Sequence, residues 1–141
     1  MPDSSPSGQI NGLLHAGLLV EDLDRARTFY ESVLGLTPCP RPELPYPGAW
    51  YELGGGQQLH LMCLTNPDAG IVRPEHGGRD RHIALGITEM AALKSRLEAA
   101  GVGYTASKSG RVAVFCRDPD QNTLEFVEVG SISRRGKIGS P

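Results

Sequence analysis

Three histidines and a glutamate are the residues most able to do chemistry. His15, His60, His82 and Glu125 each stand as an odd polar side chain in an otherwise apolar run: LLHAGLLV, QLHLMCL, RHIALGI and NTLEFVEV. Side chains alternate between the two faces of a strand. Leu14, Ala16, Leu18 and Val20 would therefore share one face and leave His15 on the other. By the same parity His60 opposes Leu59, Leu61 and Cys63, His82 opposes Ile83, Leu85 and Ile87, and Glu125 opposes Leu124 and Phe126. An imidazole or carboxylate inside a sheet is costly unless it is paired. A divalent cation shared by three or four such groups is the natural compensation, and this donor set suits zinc, nickel, manganese or iron. Taken singly, each histidine reads as a satisfied pocket residue. Their matched positions in two halves of the chain favour a joint role.

Those halves are an internal repeat. Residues 13–20 read as a strand, followed from Asp22 by a helix with Leu23, Ala26, Phe29, Tyr30, Val33 and Leu34 on one face and Gly35 as its stop. Residues 81–87 read as a second such strand. Its helix carries Met90, Leu93, Leu97 and Ala100 and stops at Gly101. Each half then shows a hairpin, Trp50–Leu53 with QLHLMCL and Val112–Cys116 with NTLEFVEV. His60 follows His15 by 45 residues and Glu125 follows His82 by 43. One further strand is expected in 36–47 and another around 104–107. The fold class is therefore α+β: two βαβββ modules, about 12–66 and 80–129, whose curved sheets form a partly open barrel with helices outside. Residues 10–130 make the domain. Residues 1–9 are expected to be a disordered N-terminus and 131–141 a flexible tail made basic by Arg134, Arg135 and Lys137.

Around this core, Arg79 and Arg111, with Arg73 and Arg81, are candidates to clamp a substrate carboxylate or phosphate, against the alternative of solvated or interface arginines. Trp50, Tyr51 and Met62 line a pocket or pack the core. Asp118, Pro119 and Asp120 read as turn residues, and His76 as a surface residue. The chain has 141 residues and a formal net charge of −2, which offers no basic field for nucleic acid. Its longest apolar run, 13–20, is too short to span a bilayer, and residues 1–9 lack the pattern of a signal peptide. Cys39, Cys63 and Cys116 are odd in number and widely spaced, which fits a reducing cytoplasm.

The segments LLHAGLLVEDLDRARTFYESVLGL, QQLHLM, RHIALGI and RDPDQNTLEFVE resemble the vicinal oxygen chelate superfamily, which includes glyoxalase I, fosfomycin-resistance proteins, methylmalonyl-CoA epimerase, bleomycin-binding proteins and extradiol dioxygenases. The resemblance covers about residues 12–129. It implies a metal held by His15, His60, His82 and Glu125 that chelates neighbouring oxygens of a small substrate. It also implies a homodimer, with His15 and His60 from one subunit and His82 and Glu125 from the other. His60 stands where glyoxalase I has a carboxylate, while His15, His82 and Glu125 match the two-histidine, one-carboxylate set of the fosfomycin-resistance and dioxygenase branches. Gln121 replaces the glycine common in this turn. The implied activities are a metal-dependent lyase, isomerase or transferase, an Fe(II) dioxygenase, or a metal-free binder of the bleomycin-resistance kind. Glu125 is assigned first as a ligand and, if it swings off the metal, as a general base; His60 would take that role where it does not bind metal.

Overall fold

The computed structural model describes residue 4 and residues 6–130; the expected tail at 131–141 lies outside them. Two four-stranded mixed sheets carry the repeat. The first holds β1 (His15–Val20), β2 (Thr37–Cys39), β3 (Gly48–Gly54) and β4 (Gln57–Cys63) in the order β1-β4-β3-β2. The second holds β5 (Ile83–Ile87), β6 (Tyr104–Ala106), β7 (Ala113–Arg117) and β8 (Thr123–Glu128) in the order β5-β8-β7-β6. In each sheet the first strand runs parallel to the last and the remaining pairs are antiparallel. The two strands expected in 36–47 and 104–107 are β2 and β6.

Each crossover is helical. Asp22 caps the first helix, α1 (Leu23–Arg27), by accepting from Arg25 N, and π-helical turns continue it over Thr28–Val33. The second helix, α2, spans Met90–Ala99. Both stop where a glycine takes the left-handed conformation, Gly35 at φ 78° and Gly101 at φ 71°, a region open to glycine at little cost. Ala26, Phe29, Tyr30 and Leu34 from the first helical segment and Met90, Leu93 and Leu97 from α2 join Leu59, Leu61, Leu124 and Phe126 in one core. Leu59, Leu61 and Leu124 are wholly buried, which fixes the opposite face of their strands as the one that carries His60 and Glu125.

The β7–β8 turn of the second module is tied to the first. Asn122 donates to the Leu19 carbonyl at 3.0 Å, Tyr30 donates to Asp118 Oδ2 at 2.7 Å, and Asp120 Oδ1 accepts from Glu21 N at 2.9 Å and Arg25 at 3.1 Å. Asp118 also receives its own turn's backbone at Asp120 N and Asn122 N, as turn chemistry requires. Burial pushes the Asp118 carboxyl pKa up, against hydrogen bonds from Tyr30 and Asn122 that lower it.

Three strand starts differ from the sequence reading. β1 begins at His15, so Leu14 is 74% exposed and does not lie under the helix. β5 begins one residue after His82, and β7 begins at Ala113, one residue after the expected Val112.

Candidate metal centre

The parallel strand pairs place the donors in the same register in both modules. Gly17, two residues beyond His15, lies opposite His60; Ala84, two residues beyond His82, lies opposite Glu125. Each sheet therefore brings one donor from its first strand or the residue before it to one donor on its last strand, along the same diagonal.

In the second module His82 Nδ1 lies 2.7 Å from the Asp80 carbonyl oxygen. A carbonyl only accepts, so Nδ1 carries the proton and Nε2 keeps its lone pair in the neutral ring. Nε2 in turn lies 3.3 Å from Glu125 Oε1. Two lone-pair atoms so close need a proton or a cation between them. This is how a ligating histidine is commonly held, with its far nitrogen fixed by a backbone carbonyl. Glu125 is 2% exposed, and its other oxygen accepts from Arg111 Nη2 at 2.9 Å. Phe115, opposite Glu125 on β7, meets the His82 ring edge-on at 5.2 Å.

In the first module the His15 and His60 rings stack at 4.1 Å, and Trp50 stacks on His60 at 3.8 Å with the two ring planes nearly parallel at 4°. His60 Nε2 lies 2.8 Å from Gln58 Oε1, whose amide nitrogen is turned to Glu52. The proton therefore belongs on Nε2 and the lone pair on Nδ1. Burial, with help from His15 and the positive charge of Arg41, holds the His60 pKa below the ordinary imidazole value. A neutral imidazole is the form that binds metal. A cleft of about 470 Å³ opens beside this pair, lined by Arg41, Trp50, Gln58 and Met62 among others.

The donor types and their proton positions fit a divalent cation. They do so as two halves: among the described residues no group of three or more His, Cys, Asp or Glu side chains is placed to hold a metal. One chain presents His15 with His60 and, separately, His82 with Glu125.

Of the other expected residues, Trp50 lines the cleft, whereas Tyr51 is fully buried on the opposite face and donates to Glu31 at 2.8 Å. Arg111 clamps a carboxylate, and that carboxylate is the chain's own Glu125. Arg79 is exposed in the short 3₁₀ turn Gly77–Arg79 and its side chain has no hydrogen bond or ion pair among the described residues. Arg73 pairs with Asp80 and Arg81 with Asp68. His76 is half-buried against Phe115 and near Thr105, apart from the four donors. Sequence reasoning passed over Phe115, Gln58 and Asp80. The repeat itself held a signal for the first, since Trp50 and Phe115 each stand ten residues before the donor they face. Nothing in the sequence announces that the Asp80 carbonyl orients His82.

Comparison with known proteins identifies the family and the fold. The family described as Glyoxalase/Bleomycin resistance protein/Dioxygenase superfamily matches residues 12–126. A lactoylglutathione lyase of Haemophilus influenzae is 34% identical over 124 residues, covering 82% of this chain and 91% of that protein. The Arabidopsis thaliana protein named Glyoxylase I 4 is 30% identical over 129 residues, covering 87% and 74%. Among solved structures, the fosfomycin resistance protein FosX from Listeria monocytogenes aligns with a TM-score of 0.67 at 20% identity, covering 90% of this chain and 97% of that one. A variant of FosX was solved in complex with Mn(II) and 1S,2S-dihydroxypropylphosphonic acid.

Proposed function

This chain belongs to the glyoxalase/bleomycin resistance protein/dioxygenase superfamily, and from that premise we propose that it is a metal-dependent lyase, isomerase or transferase acting on neighbouring oxygens of a small metabolite. The observation that carries the reading is the His82 Nε2 to Glu125 Oε1 approach at 3.3 Å, with the His82 proton held on the far nitrogen by the Asp80 carbonyl. His15, His60, His82 and Glu125 would hold the cation. Because they form two pairs within one chain, the reading requires a homodimer in which one subunit's first pair faces its partner's second. The half-exposed His82 and the exposed His15 leave both pairs accessible to such a partner.

When bound, the cation would supply Lewis acidity toward the substrate oxygens. The chain's own groups do the rest. Arg111 orients Glu125 through its 2.9 Å contact with Oε2, so a carboxylate released from ligation is positioned to accept a substrate proton. His60, neutral and fixed by Gln58 and Trp50, is the second group able to take a proton in that cleft. Trp50, Met62 and Leu44 give it apolar walls.

A second reading, a metal-free binding protein, is favoured by one observation: Arg111 already neutralises Glu125 without a metal. TnmS3, an antibiotic binding protein from Streptomyces sp. CB03234, shares the fold with a TM-score of 0.65. Elemental analysis of protein purified without chelator separates the two. About one transition metal per chain, lost in both His82→Ala and Glu125→Gln, together with a dimer in sedimentation, supports the centre. Metal absent even after incubation with Mn(II), Ni(II) and Zn(II) leaves only the binder. A Glu125→Gln protein that keeps full metal and loses turnover assigns Glu125 as base instead of ligand.

A further inference from the structure

The strongest unexplained group outside the four donors is Arg41. It stands half-buried in the β2–β3 loop and lines the same cleft as His15, His60 and Trp50. Its Nη2 donates to the Tyr46 carbonyl at 2.7 Å, and the guanidinium lies 5.3 Å from the centre of the Tyr46 ring. Its Nε is buried and has no hydrogen-bond partner among the described residues, and no carboxylate there pairs with it. The other half-buried arginines are treated differently, since Arg73 and Arg117 both close on Asp80 at 2.7 and 2.8 Å. A partly desolvated guanidinium without an anion is costly, and the described residues supply none for Arg41.

The surrounding backbone is built to keep the group there. Pro40, Pro42, Pro45 and Pro47 stiffen the loop. Gly48 gives the guanidinium its space: a Cβ at that position would stand 2.9 Å from Arg41 Nη2 and 3.0 Å from Nε, and 2.3 Å from the Leu61 carbonyl. The fork is thus positioned before any ligand arrives, which lowers the ordering cost of binding.

We propose that Arg41 is an anion-receiving residue of the cleft, so that the substrate carries an oxyanion, a carboxylate or a phosphate or phosphonate group, beside its chelating oxygens. A guanidinium binds either group through two parallel N–H bonds. This deepens the functional reading by naming the substrate class, and it rests on that reading in taking this cleft as the substrate's.

The chain's single tryptophan, Trp50, lines the cleft and reports its occupancy. Metal-free full-length protein is titrated with phenylphosphonate, phenylacetate and benzyl alcohol while Trp50 emission is followed. Both anions are expected to saturate, the alcohol to bind at least about tenfold more weakly, and Arg41→Gln to lose about tenfold in anion affinity, the scale of one charged hydrogen bond. Arg41→Lys, which keeps the charge without the fork, should fall between. The ratio of the two anions' affinities tells phosphonate from carboxylate preference. Equal affinity for the alcohol, equal affinity in Arg41→Gln, or no saturable change with either anion overturns the assignment. Should Arg41→Gln not fold, the Arg41 Nε–H resonance in wild-type protein decides, since addition of the preferred anion must shift it. Mn(II) loading, followed separately by electron paramagnetic resonance, isolates the two ideas. Anion binding lost with Mn(II) intact sinks the Arg41 subsite alone, and the reverse sinks the metal centre alone.

Discussion

Asp80 makes the sharpest test of how the second half-centre is held. Its Oδ2 receives Arg73 Nε at 2.7 Å, Arg117 Nη1 at 2.8 Å and Thr123 Oγ1 at 3.2 Å, and the three ionic side chains are 9, 12 and 18% exposed for Asp80, Arg73 and Arg117. Asp80→Asn keeps the shape and leaves two largely buried guanidinium groups facing an amide. Removing one partner of a buried ion pair costs about 3–5 kcal/mol. Residual exposure and the alternative acceptors of Arg117, the Gln121 and Pro74 carbonyls, argue for the lower end, about 3 kcal/mol. For a domain of this size that is a fall in Tm of about 10 °C, read by calorimetry or circular dichroism at neutral pH. The pH dependence supplies a second check. Burial works against ionisation of Asp80, but hydrogen bonds from Arg117 and Arg73 outweigh it and hold the carboxyl well below the usual range. A depressed folded-state pKa means that the stabilisation is complete above the unfolded value of about 3.9 and disappears as pH falls through the folded one. The gap between wild type and Asp80→Asn should therefore be constant from pH 7 to about 5 and narrow below about 4. A Tm change within about 2 °C at pH 7, well under the smallest pair-breaking cost, would refute the claim that this ion triad anchors the approach to His82.

Two further outcomes follow from local features. Gln121 sits at φ 68°, in the left-handed region, and Gln121→Gly should raise stability by about 1 kcal/mol, seen as a higher urea midpoint with unchanged slope. Cys116 is 3% exposed and burial, reinforced by the Asp118 charge, pushes its thiol pKa up to about 12; iodoacetamide at pH 8 should alkylate half-buried Cys39 and Cys63 well before it, and first labelling at Cys116 in folded protein would contradict the packing.

Legibility in the sequence followed the range of the interaction. The repeat, both helices with their glycine stops, the two hairpins and the face of each donor strand were readable because periodicity two and three-to-four residues are local consequences of backbone geometry. Even β2 and β6, short as they are, fell in the expected segments. The left-handed Gln121 also had a sequence trace, since glycine is the residue that such a turn favours. What stayed hidden is set by distant partners. Leu14 was assigned to the helix-covered face because its periodicity continues β1, yet the covering helix does not reach it. Arg111 looked like a residue waiting for a substrate anion, and only the fold shows that it closes on Glu125, fourteen residues onward. Arg41 gave no signal at all in a segment read only as holding one further strand, because what distinguishes it is a buried Nε without a partner.

The hydrogen bonds from the β7–β8 turn to β1 and α1 bear on how a complete centre is assembled. Tyr30 to Asp118, Asn122 to Leu19, and Glu21 and Arg25 to Asp120 stitch the repeats at several points spread along the same seam. A duplicated chain so fastened has no free hinge about which one half can swing onto the other. Bringing the two halves together within one chain would require tearing this seam and uncovering the buried Tyr30 hydroxyl and Asp118 carboxylate together, which is why the proposed centre calls on a second copy for its other pair of donors.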